Sequence, residues 1–311
     1  MGFLLVLKNV AIMMIYLVVG FVLVKSKLAK SSHAKSFSSF LIYCCGPCMV
    51  INAMLGMEHT TENITSVGTF FLATLIIQAL FFLILFLIIR KKMENASLRI
   101  MAVGGVLGNV GFLGLPIIKS IFPESTVVGA YSSIYVMSMN LIVFTMGVFM
   151  ITQDKKYMSI KSAILNPTTI AILIALPLYF ANIELPDELG GAISLLGSMA
   201  TPICMVVLGM RLAAVKFLDL FKRPPVYISA ALKLLIFPIF AYLCVLFLPF
   251  SIEFKVSVLI LSACPTGAIV LSLAEIHECE QELSANVVLL STLLSVVSLP
   301  LVMLVGNMVM V

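Results

Sequence analysis

Apolar residues run along this chain in blocks of about twenty, and charged residues are largely confined to the short breaks between blocks. A helix crossing the hydrocarbon core of a bilayer needs about 20 consecutive apolar residues. The pattern therefore predicts ten spans: Phe3–Val24, Phe37–Met57, Ser66–Ile89, Leu98–Ile118, Ser125–Ile151, Ala163–Ala181, Gly190–Met210, Val226–Leu248, Phe254–Ile276 and Leu283–Met308. No connection between them has room for a separate soluble domain. The first block follows almost no basic segment and lacks a small-x-small cleavage site, so it reads as a retained span and not a signal peptide. Val6 stands where a myristoylation signal requires Ser or Thr.

Composition narrows the class further. Of 311 residues, 62% are hydrophobic and 11% charged, with a mean hydropathy of +1.19. A soluble domain carries roughly 45–50% apolar and about 25% charged residues. One core cannot hide that much apolar surface, which excludes a soluble enzyme, a nucleic-acid binder and a disordered chain. The lipid bilayer is the expected partner. Seven cysteines lie mostly inside apolar blocks, with no spacing that suggests a disulfide framework.

Charge placement sets the orientation. Lys25, Lys27, Lys30 and Lys35 follow the first span; Arg90, Lys91, Lys92 and Arg99 follow the third. Lys155, Lys156 and Lys161 follow the fifth, and Arg211, Lys216, Lys222 and Arg223 the seventh. These are 15 of the 19 cations, all on one side, against Lys8, Lys119 and Lys255 on the other. Cationic loops stay in the cytoplasm, so both termini are expected outside a plasma membrane. The ninth-to-tenth connection carries Glu278, Glu280 and Glu282 and no cation; acidic residues weigh little in this rule.

The halves resemble one another. Pro47-Cys48-Met49-Val50 in the second span is echoed by Pro202-Ile203-Cys204-Met205-Val206 in the seventh, 155 residues on. At that offset Asn109-Val110-Gly111 of the fourth span matches Cys264-Pro265-Thr266 of the ninth. The expected division is residues 1–152 as one five-helix repeat, 153–162 as a cytosolic linker and 163–311 as the second repeat. Five is odd, so the copies are inverted. Inverted repeats with interrupted helices in matching positions point to a secondary transporter with a site near the bilayer midplane.

The fourth span is a poor continuous helix. Gly104-Gly105-Val106-Leu107-Gly108-Asn109-Val110-Gly111-Phe112-Leu113-Gly114-Leu115-Pro116 holds five glycines, an asparagine and a proline. Glycine costs about 1 kcal/mol and proline about 3 kcal/mol in a helix interior. Close packing through small-xxx-small spacing explains the glycines but not Asn109 and Pro116 at membrane depth. In the ninth span, Ala263-Cys264-Pro265-Thr266-Gly267-Ala268 falls at a similar depth, as a ligand-free kink or a second break. Irregular backbone at that depth is tolerated only where it is buried or lines a cavity, and half-helix N-termini facing a cavity attract an anion.

Other polar residues carry two readings each. Lys233 in the eighth span either snorkels to the cytosolic interface or couples to substrate and conformation. Asn140 and Asn52 either reach the site or bond between helices. Gln78 reads as packing. Glu275, before His277, Glu278, Cys279 and Glu280, reads as part of a solvated loop or as a proton carrier; a metal site is not expected there. Cys45-Gly46-Pro47-Cys48 spells a redox motif, but inside an apolar span it lacks the solvent access that chemistry requires.

Taken together, Asn109-Val110-Gly111-Phe112-Leu113-Gly114-Leu115-Pro116, Asn166-Pro167, Leu196-Gly197, Ala200-Thr201-Pro202, Leu208-Gly209-Met210, Cys264-Pro265-Thr266 and Leu290-Ser291-Thr292-Leu293-Leu294-Ser295 with Leu299-Pro300 resemble the auxin efflux carrier family. These are the bacterial relatives of the plant PIN-type exporters, and the similarity covers nearly the whole chain. It implies an all-α fold of ten spans in two inverted halves, related to bile-acid sodium symporters, with the fourth and ninth spans broken and crossing at the substrate site. It also implies elevator movement, with spans 1, 2, 6 and 7 as scaffold and spans 3–5 and 8–10 as the moving domain. The substrate class is a small organic anion, auxin-like or a dicarboxylate such as malonate or malate.

The expected substrate-binding residues are Asn109, Gly111, Pro116, Cys264, Pro265, Thr266, Asn140 and Asn52, with Lys233 and Glu275 as coupling or gating candidates. No cofactor, enzymatic activity or nucleic-acid partner is expected; a coupling ion (Na+ or H+) and a homodimer are left open. The alternative is a non-transporting membrane sensor or structural protein on the same fold.

Overall fold

The computed structural model of the chain describes residues 2–183, 185–215 and 220–307. Lys216 and the end of the tenth predicted span at Met308 lie outside the described residues. The described residues are helical: α1 (Gly2–Lys25), α2 (Ser31–Leu55), α3 (Thr61–Lys92), α4 (Ala96–Gly104), α5 (Val110–Ile121), α6 (Val127–Thr152), α7 (Lys155–Phe180), α8 (Asp187–Ala214), α9 (Pro224–Leu246), α10 (Ile252–Ala263), α11 (Ala268–Ile276) and α12 (Gln281–Asn307). Among them eight are long and apolar enough to cross a membrane: α1, α2, α3, α6, α7, α8, α9 and α12. The fourth and ninth predicted spans are each two short helices, α4 with α5 and α10 with α11. No β-strand occurs among the described residues, only an isolated antiparallel bridge from Gly108 to Thr266.

The expected linker at 153–162 is partly helical. Lys155–Tyr157 forms a 3-10 turn and Ile160–Ile164 a helical turn capped by the Ser159 hydroxyl, both ahead of Asn166, which caps Pro167–Phe180. Pro167 occupies the first turn, where its missing N–H has no intrahelical role.

Polarity is distributed for lipid and not for water. Leu72, Ile76, Leu80, Leu83 and Leu87 are exposed along one face of α3, at helical spacing. The opposite face buries Thr74 and Gln78, and Gln78 donates to Thr74 O and Ser138 Oγ at 3.0 and 2.9 Å, tying α3 to α6. Gln78 is packing, as its sequence setting suggested.

Two glycines let α1 and α8 touch backbone to backbone. A Cβ on Gly20 would overlap the Val206 carbonyl, and one on Gly209 the Leu17 carbonyl. Small residues serve this purpose in membranes, where helices gain no hydrophobic drive toward one another.

Several helices contain one widened π-turn. Leu41–Cys45, Val110–Gly114 and Leu232–Ile236 each end two residues before a proline, namely Pro47, Pro116 and Pro238. A proline has no N–H for the carbonyl four residues back and its ring crowds that carbonyl, so the preceding turn widens.

Candidate functional site

The two interrupted helices meet at their interruptions. Between α4 and α5 the chain leaves helical geometry at Gly105–Asn109, and between α10 and α11 at Cys264–Gly267. The N–H of Asn109 donates to Pro265 O at 2.7 Å, and the N–H of Gly267 donates to Leu107 O at 3.0 Å. Backbone groups that lost their helical partners therefore satisfy each other, which is how irregular backbone survives without water. Gly267 is required for the approach: a Cβ there would sit 2.8 Å from Gly108 O.

This pairing sorts the four half-helix ends by electrical sign. The N-terminal ends of α5 and α11, at Gly108–Phe112 and Gly267–Ile269, line one cavity of about 180 Å³, far more than the ~10–15 Å³ that admits one water. Asn109, Gly111 and Asn140 line the same cavity, with Asn166, Thr168, Cys204 and Arg211. The rest is largely apolar, the usual make-up of a small-ligand site. Helix N-termini carry unpaired N–H groups and positive partial charge.

The C-terminal ends of α4 and α10 point elsewhere and receive donors. Thr266 Oγ1 donates to Gly104 O at 2.8 Å, and Lys233 Nζ donates to Ser262 O at 2.6 Å. Lys233 is fully buried and does not snorkel. Its π-turn directs it inward, with Nζ 4.7 Å above the Phe237 ring and its chain end against Gly108. A cation at the negative end of a helix is the favourable arrangement.

The remaining candidates separate. Asn109 is nearly buried, and its Nδ2 contacts Cys204 Sγ at 3.5 Å, a weak acceptor. Asn140 Nδ2 donates to Thr169 Oγ1 at 3.1 Å, joining α6 to α7 at the cavity wall. The side chains of Cys264 and Thr266 are buried on bonds to Ile260 O and Gly104 O, and they do not line the cavity, nor does Pro265. Pro265 instead presents its carbonyl to Asn109.

Asn52 is exposed and lines two other cavities, one of which it shares with Pro116, Lys119 and Thr201. Pro116 does not make the break. It lies seven residues beyond Asn109 and frees Phe112 O, which accepts from Thr201 Oγ1 at 2.6 Å. Met49 lines both the Asn109 cavity and the Pro116 cavity and stands between them.

Glu275 pairs with Arg211 at 3.4 Å. Glu280, from the same acidic cluster, is held by both terminal nitrogens of Arg223 at 2.7 and 3.1 Å and by the Ser97 hydroxyl at 2.8 Å. That fork lowers the Glu280 carboxyl below its ordinary range, the hydrogen bond from Arg223 contributing most.

Sequence reasoning missed Cys204 and Arg211 as cavity residues. Cys204 was visible only as a repeat echo, and Arg211 only as one more cytosolic cation.

A search of curated proteins returns no match. The apolar spans, the interrupted pair and a family sequence model described as membrane transport protein, matching residues 5–303, agree. The chain belongs to that family of multi-pass membrane transporters, the auxin efflux carrier family.

Proposed function

We propose that the protein is a secondary transporter of a small organic anion across the plasma membrane, with the anion held between the N-terminal ends of α5 and α11. The observation that carries this reading is the sorting of half-helix ends: both positive ends line one cavity with Asn109, Gly111 and Asn140, while the negative ends of α4 and α10 are met by Thr266 and Lys233. Such a cavity favours a carboxylate. Its size suits a short dicarboxylate such as malonate or malate better than a large anion, and an auxin-like carboxylate belongs to the same chemical class.

The proposed mechanism is elevator movement. The close α1–α8 crossing at Gly20 and Gly209 supports a fixed scaffold of α1, α2, α7 and α8. The moving body is then α3–α6 with α9–α12, which carries the paired breaks as one unit. In this reading the ten spans form two inverted repeats, residues 1–152 and 163–311, with both termini outside. Pro265 sets the register of the pairing, and Cys264 and Thr266 hold α10 and α4 in place around it. Pro116 and Asn52 face a separate cavity, with Met49 on the wall between it and the first.

The test is uptake and efflux of labelled malonate, malate and indole-3-acetate in proteoliposomes, with and without Na+ and H+ gradients. Removing one hydrogen bond to a charged ligand costs about 1.5–3 kcal/mol, or tenfold and more in affinity. Asn109→Ala is expected to weaken binding by that factor at normal expression. Unchanged binding in the folded variant would remove Asn109 from the site.

A further inference from the structure

Arg211 stands where two cavities meet. On one side is the Asn109 cavity. On the other is a wider vestibule of about 640 Å³, lined by Ser31, Lys35, Glu275, Glu282 and Gln281 among others, on the side of the molecule that carries most of the cations. Leu208, Arg211 and Ala268 line both. An anion passing from vestibule to cavity passes this guanidinium.

The guanidinium is also under-used. A planar fork of five donors matches a carboxylate in two-pronged fashion. Arg223 shows that geometry on Glu280, with contacts at 2.7 and 3.1 Å. Arg211 does not: among the described residues it meets Glu275 through Nη1 alone, at 3.4 Å, and its Nε is buried with no partner. A buried donor left unpaired is costly, and a ligand carboxylate would satisfy it. Glu275 is half-exposed and free to turn away. A cation in the last turn of α8 also complements the helix dipole, but that role does not call for the loose carboxylate beside it or for a place on the wall of both cavities.

The geometry points to Arg211 as the residue that reads the substrate carboxylate at the mouth of the cavity, with Glu275 occupying it as an internal stand-in when no anion is bound. This rests on the anion-transport reading above and deepens it. Glu275 lies on α11 and Arg211 on α8, so arrival of the anion exchanges a link between the two proposed bodies for a link to the substrate. The class recognised is a small carboxylate whose second group reaches the N-terminal ends of α5 and α11.

The test is equilibrium binding of radiolabelled malonate, and of indole-3-acetate in parallel, to the purified full chain in detergent. Glu275→Gln removes the competitor and is expected to bind malonate about threefold or more tighter than wild type. Arg211→Gln is expected to lose tenfold or more, Arg211→Lys to recover part of that, and Glu275→Gln to give no gain in an Arg211→Gln background. Should Arg211→Gln fail to fold, the Glu275→Gln arm decides, because misfolding cannot tighten binding.

Wild-type affinity or weaker in folded Glu275→Gln, or wild-type affinity in folded Arg211→Gln, overturns the assignment. If Asn109→Ala loses binding while both of these variants bind as wild type, only the Arg211 assignment falls. If wild type binds neither probe, or Asn109→Ala and the Arg211 variants all bind as wild type, the proposed site falls with it.

Discussion

The pairing of the two helix breaks can be tested at one glycine. Gly267 has φ −76° and ψ 147°, a conformation open to every residue. Alanine there carries no backbone strain, and by restricting the unfolded chain it should stabilise by about 0.4–1 kcal/mol. Against this stands the fit. The new Cβ would lie 2.8 Å from Gly108 O and 3.0 Å from Gly108 C, where ordinary contact begins at 3.4 Å. The opponent is backbone on both counts, so the two segments must part by about 0.6 Å. The bond from Gly267 N to Leu107 O, now 3.0 Å, would stretch to about 3.6 Å and cease to be one. A buried pair left unsatisfied costs about 1–3 kcal/mol, and overpacking adds about 1–3 kcal/mol. The net expectation for Gly267→Ala is a loss of about 1–6 kcal/mol, with weaker anion binding because both N-terminal ends shift. With no tryptophan in the chain, unfolding is best followed by a thiol-reactive dye as the buried Cys45, Cys204, Cys264 and Cys279 become accessible. Gly191→Ala, which meets nothing within 4 Å, is the control and should gain up to ~1 kcal/mol from helix propensity. If Gly267→Ala melts at or above wild type while Gly191→Ala behaves as expected, the close pairing of the breaks is refuted.

Gly209→Ala should lower the melting temperature more than any exposed glycine substitution, since its Cβ would overlap the Leu17 carbonyl and force α1 from α8; an unchanged melt would contradict that crossing. Glu280, depressed by Arg223, contributes stability above the ordinary carboxylate value near pH 4.3 and loses it as pH falls through its lower folded value. The pair is partly exposed, so ~1 kcal/mol or less is at stake. Glu280→Gln should melt slightly below wild type at pH 7, with the gap closing in acid, and a gap that persists at low pH would exclude this cause. For orientation, cysteines placed at Lys161 and Asp187 in a cysteine-free background should react with impermeant reagent from opposite sides; reaction of both from one side would break the span map.

How much of this was legible in the residues depends on the kind of signal. Spans are read from apolar run length, a constraint the bilayer imposes on each segment separately. Most of the long helices begin and end within five residues of their predicted limits, but α2 begins six and α7 eight residues early, where helical turns precede the apolar run. The interruptions were legible for a related reason: Gly105, Gly108, Asn109 and Pro265 are costly in a buried helix whatever surrounds them. Pro116 misled because a proline does not always end a helix. Here it widens the turn before it and frees Phe112 O for Thr201, an effect that depends on a partner 89 residues away. Lys233 had two open readings for the same reason. Snorkelling and burial differ only in which way a long side chain turns, and that is decided by the π-turn before Pro238 and by the Ser262 carbonyl.

Of the candidate residues, those that line the cavity were half legible, and the division follows the backbone. Asn109, Gly111 and Asn140 line the cavity, but Cys264, Pro265 and Thr266 act beside it: their side chains or carbonyls hold the two breaks together, and the cavity sees the helix end that begins after them, at Gly267. A motif identifies the segment where a helix must stop. It does not say whether the residues at the stop or the N–H groups beyond it meet the ligand. In α11 it is the residues beyond the stop that line the cavity, since the hydroxyl of Thr266 is already engaged with Gly104 O and its N–H with Ser291 Oγ at 3.1 Å. In the proposed anion site, selectivity would rest first on helix ends, which any carboxylate can use. Discrimination among carboxylates is then left to side chains on the facing helices, Asn109 toward α8, Asn140 on α6 and Arg211 on α8. These are the positions where a change of residue should change the substrate without disturbing the pairing that builds the cavity.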